Sequence, residues 1–244
     1  IGLNVVAGWN KPEYDAFGID LPSDHSDRYA MAQEWFDYVT QLWKADSAFD
    51  WNGTFFRGKG VYGQPHPVQA RVPIINAASS EEGRAFAMRN ANFLFTPVFD
   101  FGQAQETVED VKSKALSVGR EVEVLTFCTV VCRPTQKEAE DYLDWYANEN
   151  ADWDAVDNLM TLQGMHAQSF TKEALAMFRD RFAAGHGGFP LVGTPDHIAD
   201  QLEQLSATGV AGTTLSFVDY AKEFPYFRQE VLPRLEAKGL RQPL

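Results

Sequence analysis

Apolar and polar positions along the chain follow two periods. Val72 to Ile75 is a short apolar run that reads as a buried strand. Small and hydroxyl residues follow at Ala77, Ala78, Ser79 and Ser80. Gly83, Phe86, Ala87 and Ala91 then recur at helical spacing on one face. Ser79 with Glu82 three residues on fits a capping box, which predicts a helix starting at the serines. A second apolar run, Phe93 to Phe95, closes the unit as strand, turn, helix and strand.

The same reading extends outward from this stretch. Ile1 to Ala7 is a strand with Asn4 as its polar member, an asparagine that either satisfies neighbouring backbone or meets a ligand. Gly8 to Asp24 is a long loop with Pro12, Gly18 and Pro22, given apolar contacts by Trp9, Tyr14 and Phe17. A loop of that length in a compact domain is usually functional or a lid. Ser26 to Ala45 is a helix whose aromatic stripe of Tyr29, Phe36 and Trp43 reads as core. Asp50 to Gly63 reads as a hairpin or irregular loop, with Asn52-Gly53 as the turn signal. Further on come a helix from about Gln103 to Val118 stopped by Gly119, and a strand from Glu121 to Val131. Residues 136–184 are helical throughout, an insertion of two or three segments opened by the Thr135–Glu138 cap. Thr194-Pro195 starts another helix, Gly212 to Val218 is the last strand, and a helix from about Glu223 to Lys238 ends the chain.

Five strands alternating with helices imply an α/β fold with parallel strands and helices outside, in one domain spanning residues 1–244. A (β/α)8 barrel needs eight strands. The pattern therefore leaves an open doubly wound sheet, or a barrel whose first strands precede Ile1. The absence of an initiating methionine and the abrupt start inside an apolar run predict a truncated N-terminus.

Charge and cysteine usage narrow the partners. The net charge of −13, from 34 acidic and 21 basic residues, disfavours nucleic acid and anionic membranes. No apolar run approaches the length of about 18 residues that a membrane helix needs, and no secretory leader pattern is visible. Cys128 and Cys132 lie on one strand, about 13 Å apart at the rise of a strand. That exceeds the reach of about 7 Å for a disulfide. Buried thiols and a cytoplasmic location are expected.

The candidate chemistry sits at the turn after Ile75. A helix N-terminus presents unpaired amides and a partial positive charge, hydroxyls add donors, and small residues allow close approach, so the turn is suited to a phosphate group. A merely capped helix would share the pattern. The five histidines show no metal-ligand spacing, and no G-x-S-x-G elbow is present, so neither a metal nor a serine hydrolase is expected.

Four motifs carry a resemblance. Asn4-Val5-Val6-Ala7-Gly8-Trp9-Asn10, the segment His25-Ser26-Asp27-Arg28-Tyr29, the stretch Asn76 to Ser80 with Gly83 and Ala87, and Val192-Gly193-Thr194-Pro195 with Gly209 occur in that order. Together they resemble the bacterial luciferase-like flavin-dependent monooxygenases, nearest the dimethyl sulfone monooxygenase subgroup. The resemblance covers essentially the whole chain. It implies a (β/α)8 barrel, of which about five of eight strands are present here, with a helical insertion before the last strand.

It also implies roles. Asn4 matches a residue whose amide faces a flavin ring. Tyr29 matches a tyrosine bonded to the FMN phosphate, and Ala78, Ser79 and Ser80 match the loop around that phosphate. The implied reaction is two-component oxygenation: reduced FMN from a separate NAD(P)H-dependent flavin reductase, O2, and a small organic, organosulfur substrate. A homodimer or homotetramer is the implied assembly. No catalytic residue is assigned. A deazaflavin-dependent oxidoreductase on the same fold, and a non-catalytic flavin-binding relative or fragment, are the alternatives. The usual barrel phosphate site after the last strand is not expected, because Val218-Asp219-Tyr220 lacks glycine.

Overall fold

The computed structural model describes the chain except Trp9, Ser79, residues 164–170 and Leu244. It divides into two compact units, residues 1–95 with 111–123, and residues 96–110 with 124–244.

The first unit is built on three parallel strands, β1 (Leu3–Val5), β4 (Ile74–Ala77) and β5 (Phe93–Phe95), in that order. Leu3, Asn4 and Val5 face Ile74, Ile75 and Asn76, and Ile75, Asn76 and Ala77 face Phe93, Leu94 and Phe95. Helix α3 (Glu81–Asn90) covers β4 and β5, and α2 (His25–Lys44) packs against α3. The helical face expected from the sequence is the one that packs: Gly83, Phe86, Ala87 and Met88 are buried on α3, and Ala91 follows with no exposure. Phe86 is the centre of this contact, its ring 6.0 Å from those of both Tyr29 and Phe36 on α2. Gln33 and Asn90 exchange side-chain hydrogen bonds at 3.3 and 2.6 Å, which fixes the two helices against each other.

Between β1 and α2 the long loop contains a helix of its own, α1 (Lys11–Ala16), with Pro12 in its first turn. The expected hairpin forms from β2 (Phe49–Asn52) and β3 (Arg57–Val61), paired antiparallel. Glu34 of α2 holds its turn: the carboxylate accepts the amides of Thr54, Phe55 and Phe56 at 2.8–2.9 Å and the Trp51 indole N–H at 3.3 Å.

The second unit has β6 (Glu123–Cys132, from Val124 onward) between β7 (Phe189–Gly193) and β8 (Gly212–Ser216), all parallel. β6 is buried on both faces over Thr129 to Cys132, as a central parallel strand should be. β7 is a sixth parallel strand beyond the five counted from the sequence. Pro190 and the preceding glycines hide its pattern, and the proline is accepted because β7 pairs with β6 alone.

The insertion resolves into α5 (Gln136–Asp144), a π-turn (Trp145–Glu149), α6 (Trp153–Leu162) and α7 (Lys172–Gly185), with no strand among the described residues. Thr135 and Glu138 form the expected capping box at its start. Val156, Met160 and Phe178 give the insertion its own small core, with the Phe99 ring 4.9 Å from that of Phe178. The helix α4 (Phe101–Ser117) precedes β6, and α8 (Pro195–Ala207) lies between β7 and β8. The terminal helix breaks into α9 (Tyr220–Glu230) and α10 (Leu232–Ala237), with Pro233 at the start of the second piece.

Both cysteines are free and buried on β6. Burial pushes each thiol up to about 11, against the weaker opposing hydrogen bond from Thr213 at Cys128 and the positive charge of Arg133 at Cys132. Among the described residues no helix is long and apolar enough to cross a membrane.

Burial works against ionisation of Glu34, yet the donors from the hairpin turn outweigh it and hold its carboxyl below the ordinary value of 4.5. Its contribution to stability is therefore complete above that value and is lost as pH falls through the lower folded-state value. In urea unfolding, the stability gap between wild type and Glu34→Gln should close on acidification; an unchanged gap at acid pH would contradict the assignment. In the core, Phe86→Ala should cost about 3–5 kcal/mol in the same measurement, and a loss under 1 kcal/mol would show that α2 and α3 do not depend on it.

Candidate functional site

The turn between β4 and α3 is set by local chemistry. The chain leaves β4 at Ala77, Ala78 is buried, and Ser80 adopts an extended conformation as the helix N-cap. Ser80 Oγ accepts the Gly83 amide at 3.2 Å. The cap thus sits one residue later than the expected Ser79–Glu82 pair. With Ser80 in that position the third helical residue is Gly83, which has no side chain to reach back, so no capping box forms. Glu81 and Glu82 are exposed in the first turn, where the helix dipole favours them.

Tyr29, in the second turn of α2, comes down onto this turn. Its half-buried phenol lies near the Ser80 side chain, whose hydroxyl acts to lower the phenol's pKa. Burial outweighs that effect and raises the pKa above the ordinary 10.0, so the group stays protonated at neutral pH. A Cβ built on Gly83 would lie 2.3 Å from the Tyr29 hydroxyl and 2.5 Å from the Ala78 methyl. The hydroxyl therefore sits directly over the glycine. Ala78, Ser80 and Tyr29, three of the five residues singled out from the sequence, meet here around the start of α3. Ser79 lies outside the described residues.

Asn4 is not part of this cluster. Its side chain is exposed, while its neighbour Val5 is buried. Asn76, which sequence reasoning passed over, takes the buried face instead. It is fully buried, Nδ2 donates to Val5 O at 2.7 Å, and Oδ1 has no partner. The register Val5↔Asn76 and Asn4↔Ile75 puts the two asparagines on opposite faces of the sheet. A lone polar residue inside the apolar run Pro73–Ala77 was the available signal.

The first turn of α3 offers backbone amides, two hydroxyls and a bare Cα, and Arg28 lies close enough for its charge to be felt at the Tyr29 phenol. That donor set fits the phosphate of a bound ester.

In the second unit, the corresponding amides after the last strand are already taken. Val218 N and Asp219 N donate to Glu223 Oε2 at 3.0 and 3.1 Å. Glu223 Oε1 pairs with Arg133, whose guanidinium lies 4.0 Å from the Tyr142 ring centroid. The chain's own buried carboxylate fills the place where barrels commonly hold phosphate. Among the described residues no three metal-ligating side chains converge.

The family described as luciferase-like monooxygenase matches residues 1–212. The chain belongs to the luciferase-like monooxygenase family. The resemblance read from the four motifs is thereby borne out, and with it a fold of the barrel family of which this chain holds a part. The chain is 30% identical over 252 residues to the FMNH2-dependent dimethylsulfone monooxygenase of Pseudomonas fluorescens, covering 98% of this chain and 67% of that protein. It is 28% identical over 244 residues to the pyrimidine monooxygenase RutA of Acinetobacter baylyi, covering 97% and 65%. The crystal structure of DmoA from Hyphomicrobium sulfonivorans superposes with a TM-score of 0.81 at 20% identity, over 97% of this chain and 61% of that one. This member of the luciferase-like family thus spans about two thirds of the length of the curated relatives it matches.

Because the hydroxyl of Tyr29 fills the space over Gly83, Gly83→Ala should displace it from Ser80. The crowding should cost about 1–3 kcal/mol, more than the gain of up to about 1 kcal/mol that alanine brings to a helix interior. Urea unfolding reads the net loss; a variant as stable as wild type would mean the turn is loose.

Proposed function

We propose that this chain is the flavin-binding part of a two-component monooxygenase that uses reduced FMN and O2 on a small organosulfur substrate. The observation that carries the reading is the meeting of Tyr29, Ser80 and Ala78 over the bare Cα of Gly83 at the start of α3. Family membership supports the flavin. The activity of the Pseudomonas fluorescens relative, an FMNH2-dependent dimethylsulfone monooxygenase, supports the substrate class. A separate flavin reductase supplying the reduced cofactor, and a homodimer or homotetramer as the working assembly, belong to the same reading.

In this proposal the chain contributes binding and orientation. Reduced FMN, when bound, supplies the electrons with which O2 is activated. Ser80 and the free amides of the first turn of α3 hold the phosphate, and the helix dipole favours its negative charge. Tyr29, kept protonated by burial, would be a hydroxyl donor toward the phosphate. Ala78 and Gly83 keep side-chain bulk away from the phosphate. Asn4, on the exposed face of β1, is the residue proposed to meet the ring, and Ser79 completes the proposed phosphate loop. Glu223 already occupies the last-strand amides, which supports the α3 turn as the proposed seat.

Fluorescence titration with oxidised FMN tests the seat. Losing a hydrogen bond to a charged group costs about 1.5–3 kcal/mol, so Tyr29→Phe and Ser80→Ala should each weaken binding roughly 10- to 100-fold. Binding indifferent to both changes would reduce the turn to a capped helix. Substrate-dependent oxygen uptake with reduced FMN tests the reaction, and hydride transfer to a deazaflavin without oxygen uptake would favour an oxidoreductase of the other kind.

A further inference from the structure

The residue beside Tyr29 performs a different task. Arg28 donates from Nη1 to Gly8 O and from Nη2 to Ser23 O, both at 3.3 Å. These carbonyls are the two ends of the loop between β1 and α2. One guanidinium thus spans both ends of a segment whose only regular element among the described residues is the six-residue α1.

Three further observations bear on this contact. Asp24, the N-cap of α2, makes no side-chain cap bond, so at the entry to the helix the Arg28 side-chain bond to Ser23 O adds to the Arg28 amide's bond to Asp24 O at 3.2 Å. Gly8 sits at φ +88°, and a Cβ there would lie 2.3 Å from the Tyr14 hydroxyl, so α1 folds back directly onto the residue that Arg28 holds. Arg28 Nε is buried without a partner. The side chain is therefore committed to the two carbonyls through its outer nitrogens, and a shorter or single-headed cation cannot copy the arrangement.

Arg28 and Tyr29 are consecutive on α2. One holds the loop, and the other lies on the α3 turn. We propose that Arg28 is a positioning residue that clasps the loop from Gly8 to Ser23 and couples its order to occupancy of the α3 turn. The clasp stands on the geometry alone; the coupling rests on the flavin-phosphate reading above. An oxyanion seated against Tyr29 and the start of α3 fixes the first turns of α2, and Arg28 transmits that constraint to both ends of the loop. No contact between Arg28 and the reacting atoms is required.

Hydrogen–deuterium exchange on the full 244-residue chain, with and without oxidised FMN, tests both halves. Without ligand, Arg28→Gln should speed exchange in residues 10–22 by about tenfold, the scale of one lost charge-assisted bond. Exchange in α3 and β4 should stay at wild-type rates, which also shows that the unit is folded. Arg28→Lys should fall between, since an ammonium replaces only part of the fork. With FMN, wild type should slow in both α3 and the loop, whereas Arg28→Gln should slow in α3 alone. Loop exchange in Arg28→Gln equal to wild type without ligand would overturn the clasp. FMN protection of the loop that survives the substitution would overturn the coupling. Wild type showing no FMN protection in α3 would overturn the flavin reading and the coupling with it, while the ligand-free comparison still decides the clasp.

Discussion

The placement of the Tyr29 hydroxyl over Gly83 is the constraint on which the first unit depends. It is a contact between a polar group and the absence of a side chain, and it is available only because α2 and α3 are held at one separation. Phe86 sets that separation from inside, wedged between the rings of Tyr29 and Phe36, and the Gln33–Asn90 pair fixes it from outside. The hydrophobic contact supplies most of the free energy and the hydroxyl supplies the geometry. Loss of either would leave a capped helix with no defined donor above it. Local structure follows from the same contact: a helix starting at Ser80 places a glycine where a carboxylate would otherwise complete a box.

The two units treat anionic groups in opposite ways. At the start of α3 the Tyr29 and Ser80 hydroxyls meet beside the small residues Ala78 and Gly83. After β8 the equivalent amides close on Glu223, and Arg133 neutralises that carboxylate while stacking on Tyr142. Burying a carboxylate is costly unless it is paired and bonded, and here each oxygen has a partner. The arrangement fixes the β8–α9 turn with internal charge, so that turn needs no ligand to be ordered. It also explains in positive terms why a glycine-free Val218-Asp219-Tyr220 segment serves a barrel fold: side-chain anions do not demand the close backbone approach that phosphate does.

Much of this was legible in the chain because it is periodic. The strand, turn, helix and strand from Ile74 to Phe95, the aromatic stripe of α2 and the helical insertion all announce themselves by spacing, and packing follows the expected faces. What escaped has a physical reason in each case. β7 is interrupted by Pro190, which a strand tolerates only where one side is unpaired, and pairing is a property of the sheet rather than of the segment. The cap lies at Ser80 rather than Ser79 because either serine satisfies the local rule and packing of α3 chooses between them. Asn76 takes the buried face and Asn4 the exposed one, since one residue of register exchanges the faces of a strand. Arg28 could be read as part of a motif but not as a clasp, because its partners are carbonyls that every residue has.

The state of the two cysteines bears on how this protein can be handled. Both are enclosed in β6 and remain protonated at neutral pH, so neither offers a thiolate to an electrophile. The folded chain should therefore be slow to react with maleimides and iodoacetamides. A single cysteine introduced on the exposed loop between β1 and α2 would carry a spectroscopic label to one address without first stripping the natural thiols from the core. Reactivity of the natural pair would itself then report that the sheet around β6 had opened.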